Sequence, residues 1–296
     1  MFMSLGYPIG SALSGVLLTW VGYYGVFSIS ALLYVFSIVY GYFYLEEPKR
    51  KKSQEKDDKR VQTNKGFLRE FFDVGLVMDT FRVVFRKGEG NRRLRVCLLL
   101  IVVCVVFGPM HGEFTIMYLF TRFRFNWDEV QFSMWSTYGI VTNLLGTFFS
   151  ISLFTNYLKL DDTLLGIISN VSKIIGAFAY AFARNDFEIY LAPLIEILNG
   201  TSFIAMRSIA TKLVNGEEFG KVNSLFGLAE ATMPLVYGPL YSRVYMATLN
   251  ILPGAVFLLG AVLTVPSIII FGWLYFEHKK DIARTSNATS NDTEKQ

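Results

Sequence analysis

Long apolar runs separated by short polar breaks fill this chain, and one break is far longer than the rest. A helix that crosses a bilayer needs about 20 mostly apolar residues. Eight runs reach that length: residues 2–21 and 26–45 before the long break, then about 96–120, 132–154, 163–183, 189–211, 222–241 and 253–276. The first two are joined by a GYYG turn at Gly22–Gly25. Gly6, Gly10 and Ser14 recur at four-residue spacing with Gly15 beside them, a pattern that lets helix backbones approach closely in lipid. The pattern predicts an all-α, polytopic membrane protein with eight transmembrane helices.

The long break, residues 46–95, holds 15 of the 28 Lys and Arg residues. Its first part, 46–64, has few apolar residues and reads as disordered. In 66–86, Phe and Val recur among charges, which predicts a helix along the inner membrane surface, with a solvated linker as the alternative. Positive loops stay cytoplasmic. With this segment inside, counting crossings puts Lys159, Lys212, Lys221, Lys279, Lys280, Arg284 and Lys295 inside as well. Only Arg122, Arg124, Arg184 and Arg243 then fall outside. The division expected is residues 1–45 as two helices, 46–95 as a cytoplasmic linker, 96–276 as a six-helix unit and 277–296 as a cytoplasmic polar tail. The sequons at Asn287 and Asn291 lie in that tail, where no sugar would be added.

Composition agrees. Hydrophobic residues make up 52% and charged ones 18%, against about 25% charged in soluble domains. Mean hydropathy is +0.39. The net charge of +4 sits in one juxtamembrane loop, so topology and anionic lipid explain it and nucleic acid does not. The start shows no basic region, short apolar core and cleavage site of a signal peptide. Cys97 and Cys104, seven apart on one helix, lie roughly 10 Å apart, too far for a disulfide. No HExxH, Walker loop, GxSxG, zinc spacing or dinucleotide fingerprint occurs, and two histidines make metal catalysis a poor reading. The sequence therefore predicts no enzyme and no cofactor.

Ionisable groups inside a membrane are costly and mark paths for substrates or ions. Six stand out: His111, Glu113, Lys173, Glu196, Arg207 and Glu230. His111 and Glu113 lie in GPMHGE, whose Gly-Pro and second Gly predict a broken helix bordering a site. Glu113 reads as facing a wet cavity, or as a structural pair with a neighbouring helix; a lone His is as often satisfied by backbone. Both are candidates for holding a proton. Lys173 is too deep to snorkel and needs a carboxylate or water, with Glu113 and Glu230 nearest in depth. Glu196 falls in the outer half of its run and reads as solvated. Arg207 suits an anion by its forked donors, or else forms a gate salt bridge or an interfacial anchor. Glu230 precedes a kink expected at Pro234.

Two helices, a long basic loop and six helices resemble the back two-thirds of a major facilitator transporter. Within that superfamily four stretches resemble solute carrier family 46, the proton-coupled folate transporter and its invertebrate relatives. They are GYYGVFSISALLYVFSIVYGYFYLEEP, EFTIMYLFTRFRFNWDEVQFSMWSTYG, LGIISNVSKIIGAFAYAFA and RSIATKLVNGEEFGKVNSLFGLAEA. The resemblance implies helices 5–12 of a twelve-helix fold, the first four absent, and a carrier that alternates access around a central cavity. It implies a small organic anion such as folate as substrate, with relatives moving muropeptides, cyclic dinucleotides or steroid conjugates. It also implies a proton as coupling ion, and a plasma or endolysosomal membrane. Arg207 precedes Lys212-Leu-Val as the family's tenth-helix arginine precedes its KLV, so it inherits a role in substrate binding and coupling; Glu230 matches an eleventh-helix glutamate. The family's seventh-helix histidine aligns near Phe107, not His111, and its fifth-helix carboxylate at or before Met1. The alternative from another class is a truncated, non-transporting membrane protein that acts by partner binding or has no activity.

Overall fold

The computed structural model describes residues 2–44, 91–158, 160–214 and 216–293. Most of the basic segment, including the stretch 66–86 expected along the membrane surface, lies outside the described residues. Among those described, all regular structure is helical: α1 (Phe2–Tyr44), α2 (Arg92–Phe125), α3 (Glu129–Ser150), α4 (Asp162–Phe182), α5 (Asp186–Ile195), α6 (Thr201–Leu213), α7 (Gly216–Thr248) and α8 (Ala255–Thr293). A π-helical turn, Ile151–Tyr157, extends α3. The segment expected as a polar tail continues α8 as helix. Among the described residues, five stretches are long and apolar enough to cross a membrane: Leu13–Tyr44, Arg92–Phe125, Glu129–Phe154, Asp162–Phe182 and Ala255–Asp281.

Local chemistry sets the breaks. Gly22 holds φ 68° and ψ −179°, open to glycine and costly for other residues, and divides α1 in two. The turn beyond it presses Val21 against Gly25. Asn126, in the left-handed region, ends α2. Asp128 then caps α3, accepting from the Gln131 N–H at 2.7 Å while Gln131 accepts from the Asp128 N–H. Asn185 caps α5 through the Glu188 N–H.

One expectation is corrected here. GPMHGE does not break its helix: α2 runs unbroken from Arg92 to Phe125 with Pro109 inside it. Its glycines serve packing instead. A side chain on Gly108 would meet the ring of Tyr237, and one on Gly112 the ring of Tyr241, so both allow α7 to lie directly on α2. The break falls in the run expected as one crossing, residues 189–211. There α5 ends at Ile195, residues 196–200 form turns, and α6 starts at Thr201.

The helices enclose two apolar cores. One gathers Leu99, Phe107, Met206, Phe226 and Phe271, and the other Phe120, Trp135, Ala177, Tyr241 and Phe257. Between them runs a buried polar layer that includes Glu113, Ser169, Asn170, Lys173, Ser202, Thr264 and Ser267. α1 packs on α3 and turns the apolar side chains of its second half outward. The close approach is made by Gly15, where an added Cβ would lie 2.7 Å from Ser133 Oγ, whereas Gly10 faces open space.

A buried ion cluster beside an apolar cavity

The interrupted helix creates a backbone problem, because turns inside a membrane bundle leave N–H and C=O groups that water cannot reach. α4 supplies the partners. Ser169 donates its hydroxyl to the Asn199 carbonyl at 2.6 Å and accepts from the Ser202 N–H at 2.8 Å. Ser172 donates to the Ile195 carbonyl at 3.0 Å, and Asn170 donates to Ser202 Oγ at 3.1 Å. From α3, Gly146 lies against the Ile197 carbonyl, and Asn143 and Thr147 against Gly200.

Held this way, the turn presents Glu196 to Lys173. Lys173 Nζ lies 2.5 Å from Glu113 Oε2 on α2 and 3.0 Å from Glu196 Oε1. Side-chain exposures of 7%, 6% and 11% for Lys173, Glu113 and Glu196 make this a buried cluster of one ammonium and two carboxylates. Asn199 Nδ2 donates a further bond to Glu196 Oε1 at 2.5 Å. Glu113 Oε1 is buried without a hydrogen-bond partner, as is the nearby hydroxyl of Tyr241. Both face Gly260 of α8, the one residue type that leaves room there.

Two adjoining hollows, of about 260 and 650 Å³, meet at Lys173. The larger is walled by Val106, Met110, Leu144, Phe148, Phe203 and Ile204, with Asn143, Thr147, Asn199 and Thr264 among its polar points. The smaller reaches Glu113, Trp135 and Glu196. Lys173 is the cation both hollows share.

The second ion pair lies further along α6. Arg207 Nη2 donates to both carboxylate oxygens of Glu230, at 2.9 and 3.2 Å, and Nη1 donates to Asn223 at 3.2 Å. Its guanidinium sits over the ring of Phe203, 5.6 Å from the centroid. The Arg207 side chain is 41% exposed, against 7% for Lys173, so it reaches the surface where Lys173 stands in the interior.

Lys173 is thus joined to Glu113 and not to Glu230, which belongs to Arg207. Glu196, expected to be solvated, is buried in the cluster because the turn at 196–200 carries it inward. Its signal in the sequence is the Asn199-Gly200 pair, a turn dipeptide inside an apolar run. His111 is half-buried with its ring stacked on Phe107, 6.3 Å between centroids, and belongs to neither ion pair. Asn143, Asn199, Ser169 and Tyr241 also shape the site, and nothing in their spacing announces it. The free cysteines Cys97 and Cys104 line neither hollow.

Comparison with known proteins follows the same line. A model of the Major Facilitator Superfamily matches residues 1–236. The chain is 24% identical over 210 residues to the probable peptidoglycan muropeptide transporter of Drosophila melanogaster, covering 70% of this chain and 40% of that protein. It is 25% identical over 261 residues to the lysosomal proton-coupled steroid conjugate and bile acid symporter of Mus musculus, covering 86% of this chain and 53% of that protein. Solute carrier family 46 member 2 of Mus musculus matches at 25% over 187 residues. The chain spans about half the length, or less, of these curated relatives.

Proposed function

The chain belongs to the major facilitator superfamily and is similar to solute carrier family 46, and from that premise we propose that it forms part of a secondary carrier for an amphipathic organic anion, working by alternating access. The observation that carries this reading is Lys173, the buried cation that lines both of two adjoining hollows with largely apolar walls. A volume of about 650 Å³ suits a small organic molecule, since ligand pockets commonly span roughly 300–1,000 Å³. Largely apolar walls with a single cation in the lining favour a rigid apolar body bearing one anionic group. A steroid conjugate has that form; folate, with its carboxylates on a flexible arm, has it less well. Arg207 serves as a gate, tied to Glu230 when no anion competes.

The crossings in this reading number eight. α1 contributes two across Gly22, α5 and α6 together form one interrupted crossing, and α2, α3, α4, α7 and α8 contribute one each. The basic segment and the C-terminus face the cytoplasm, in a plasma or endolysosomal membrane.

Binding of radiolabelled estrone sulfate to the purified chain in lipid nanodiscs tests the site without requiring a full transport cycle. Saturable binding is expected, weakened about tenfold or more in Lys173→Met, because a hydrogen bond to a charged group contributes about 1.5–3 kcal/mol. Equal affinity in the two proteins would remove Lys173 from the site.

A further inference from the structure

The two hollows share Met110, Ile140, Asn143, Lys173 and Asn199 in their linings, and these residues mark the junction between them. Met110 and Ile140 are apolar, so a polar group at the junction meets Asn143, Lys173 and Asn199. Their hydrogen-bonding capacity is unevenly spent. Lys173 has three N–H donors, and two are directed at Glu113 and Glu196. Asn199 Nδ2 donates to Glu196 Oε1, and the Asn199 carbonyl accepts from Ser169. Asn143 differs. Among the described residues its side chain has no hydrogen-bond partner, so two N–H donors and a carbonyl oxygen stay uncommitted.

The chain around Asn143 fixes its place. Asn143 and Thr147 lie one turn apart on the same face of α3. Both lie against Gly200, where an added Cβ would be 2.8 Å from Asn143 Oδ1 and 2.3 Å from Thr147 Oγ1. Glycine at the end of the 196–200 turn thus lets α3 bring an amide against the same turn that carries Glu196 to Lys173. The other polar points of the larger hollow serve less well at the junction. Thr147 lines the larger hollow only, and the Thr264 hydroxyl donates to the Gly260 carbonyl at 2.8 Å. An asparagine in a membrane bundle commonly bonds across to a neighbouring helix. Asn143 makes no such bond among the described residues.

We propose that Asn143 is a specificity-determining residue of the cavity: its amide donates to one oxygen of an anionic headgroup while Lys173 holds another, with the apolar body in the larger hollow. This rests on the cavity reading above and narrows the headgroup to an oxyanion with acceptors on separate oxygens, a sulfate, phosphate or carboxylate. Such a group gives up hydration when it enters a largely apolar hollow, and each polar atom left without a partner there is costly. Lys173 has one N–H left to offer. Asn143 supplies the rest.

The ratio of affinities for estrone sulfate and estrone, which share one steroid body, reads the headgroup alone. Each radiolabelled steroid is bound directly to the purified chain in lipid nanodiscs, with empty nanodiscs subtracted. Both affinities come from one preparation, so any unfolded fraction cancels from the ratio. Wild type is expected to prefer the sulfate. Asn143→Leu, of similar size without donors, and the isosteric Asn143→Asp are expected to lower that preference about tenfold or more, the usual weight of a hydrogen bond to a charged group. Estrone is expected to bind as before. A ratio unchanged in either variant overturns the proposal. So does an equal loss of both steroids, which would make Asn143 a packing residue. Lys173→Met, run in parallel, separates the failures. A preference lost in Lys173→Met but kept in Asn143→Leu overturns the role of Asn143 and leaves the cavity reading standing. No saturable binding, or no preference, in folded wild type overturns the cavity reading and the proposal with it.

Discussion

Lys173 and Glu113 meet at 2.5 Å across sixty residues of sequence, joining the middle of α4 to the middle of α2 between the two apolar cores. A pair so placed does more than add attraction. Each member is tolerable only because the other is present, since breaking a buried pair from one side leaves an uncompensated charge.

Lys173→Met leaves two buried carboxylates facing each other, and is expected to cost about 3–5 kcal/mol of stability. Adding Glu113→Gln removes one of those charges and recovers a large part of the loss. Thermal unfolding of the single and double variants in detergent checks this. Additive losses would mean that the two side chains do not depend on one another.

The glycines of α2 and α7 give a contrast between a packed position and open ones. Gly112→Ala forces a methyl group into the ring of Tyr241, and overpacking of this kind costs about 1–3 kcal/mol. Gly227→Ala and Gly238→Ala add a methyl group in open space and are expected to be neutral, or stabilising by up to about 1 kcal/mol. Melting temperatures of the three variants decide; a tolerated Gly112→Ala would mean that α2 and α7 are not packed this closely.

Arg207 holds Glu230 by a fork and sits over Phe203. Arg207→Ala is expected to abolish anion uptake in cells that still display the carrier, provided the assay uses a form that transports. Exchange of the two charges, Arg207→Glu with Glu230→Arg, separates two roles. Restored uptake assigns a gate formed by the pair alone; uptake still lost assigns contact between Arg207 and the anion.

Much of this fold is legible in the sequence because lipid leaves few choices. An apolar run in a bilayer must satisfy its own backbone, so length and hydropathy place helices along 96–120, 132–154 and 163–183, and helices are found there. The depth of Lys173 likewise demands a carboxylate, and Glu113 supplies it. The helix break is harder to read. Glycine in a helix either ends it or admits a neighbour, and only the neighbour decides. Tyr237 and Tyr241 decide for Gly108 and Gly112, yet they lie more than a hundred positions away. Glu196 is misplaced for the same reason: its depth was counted along a regular helix, and the turn after Ile195 removes that regularity.

That turn also yields the sharpest structural test. Ser169 serves two backbone groups at once, the Asn199 carbonyl and the Ser202 N–H, with one hydroxyl. Ser169→Ala orphans both in a buried layer, and an unsatisfied buried group costs about 1–3 kcal/mol. Ser169→Thr keeps the hydroxyl and is expected to lose far less. Because the turn carries Glu196 and Asn199, loosening it should be felt at the ion cluster before it is felt in the apolar cores. Hydrogen exchange of peptides spanning residues 196–202 is therefore expected to speed up in Ser169→Ala, while that of α2 around Leu99 stays slow. Uniform acceleration throughout the chain would show that Ser169 supports the whole bundle and not the turn.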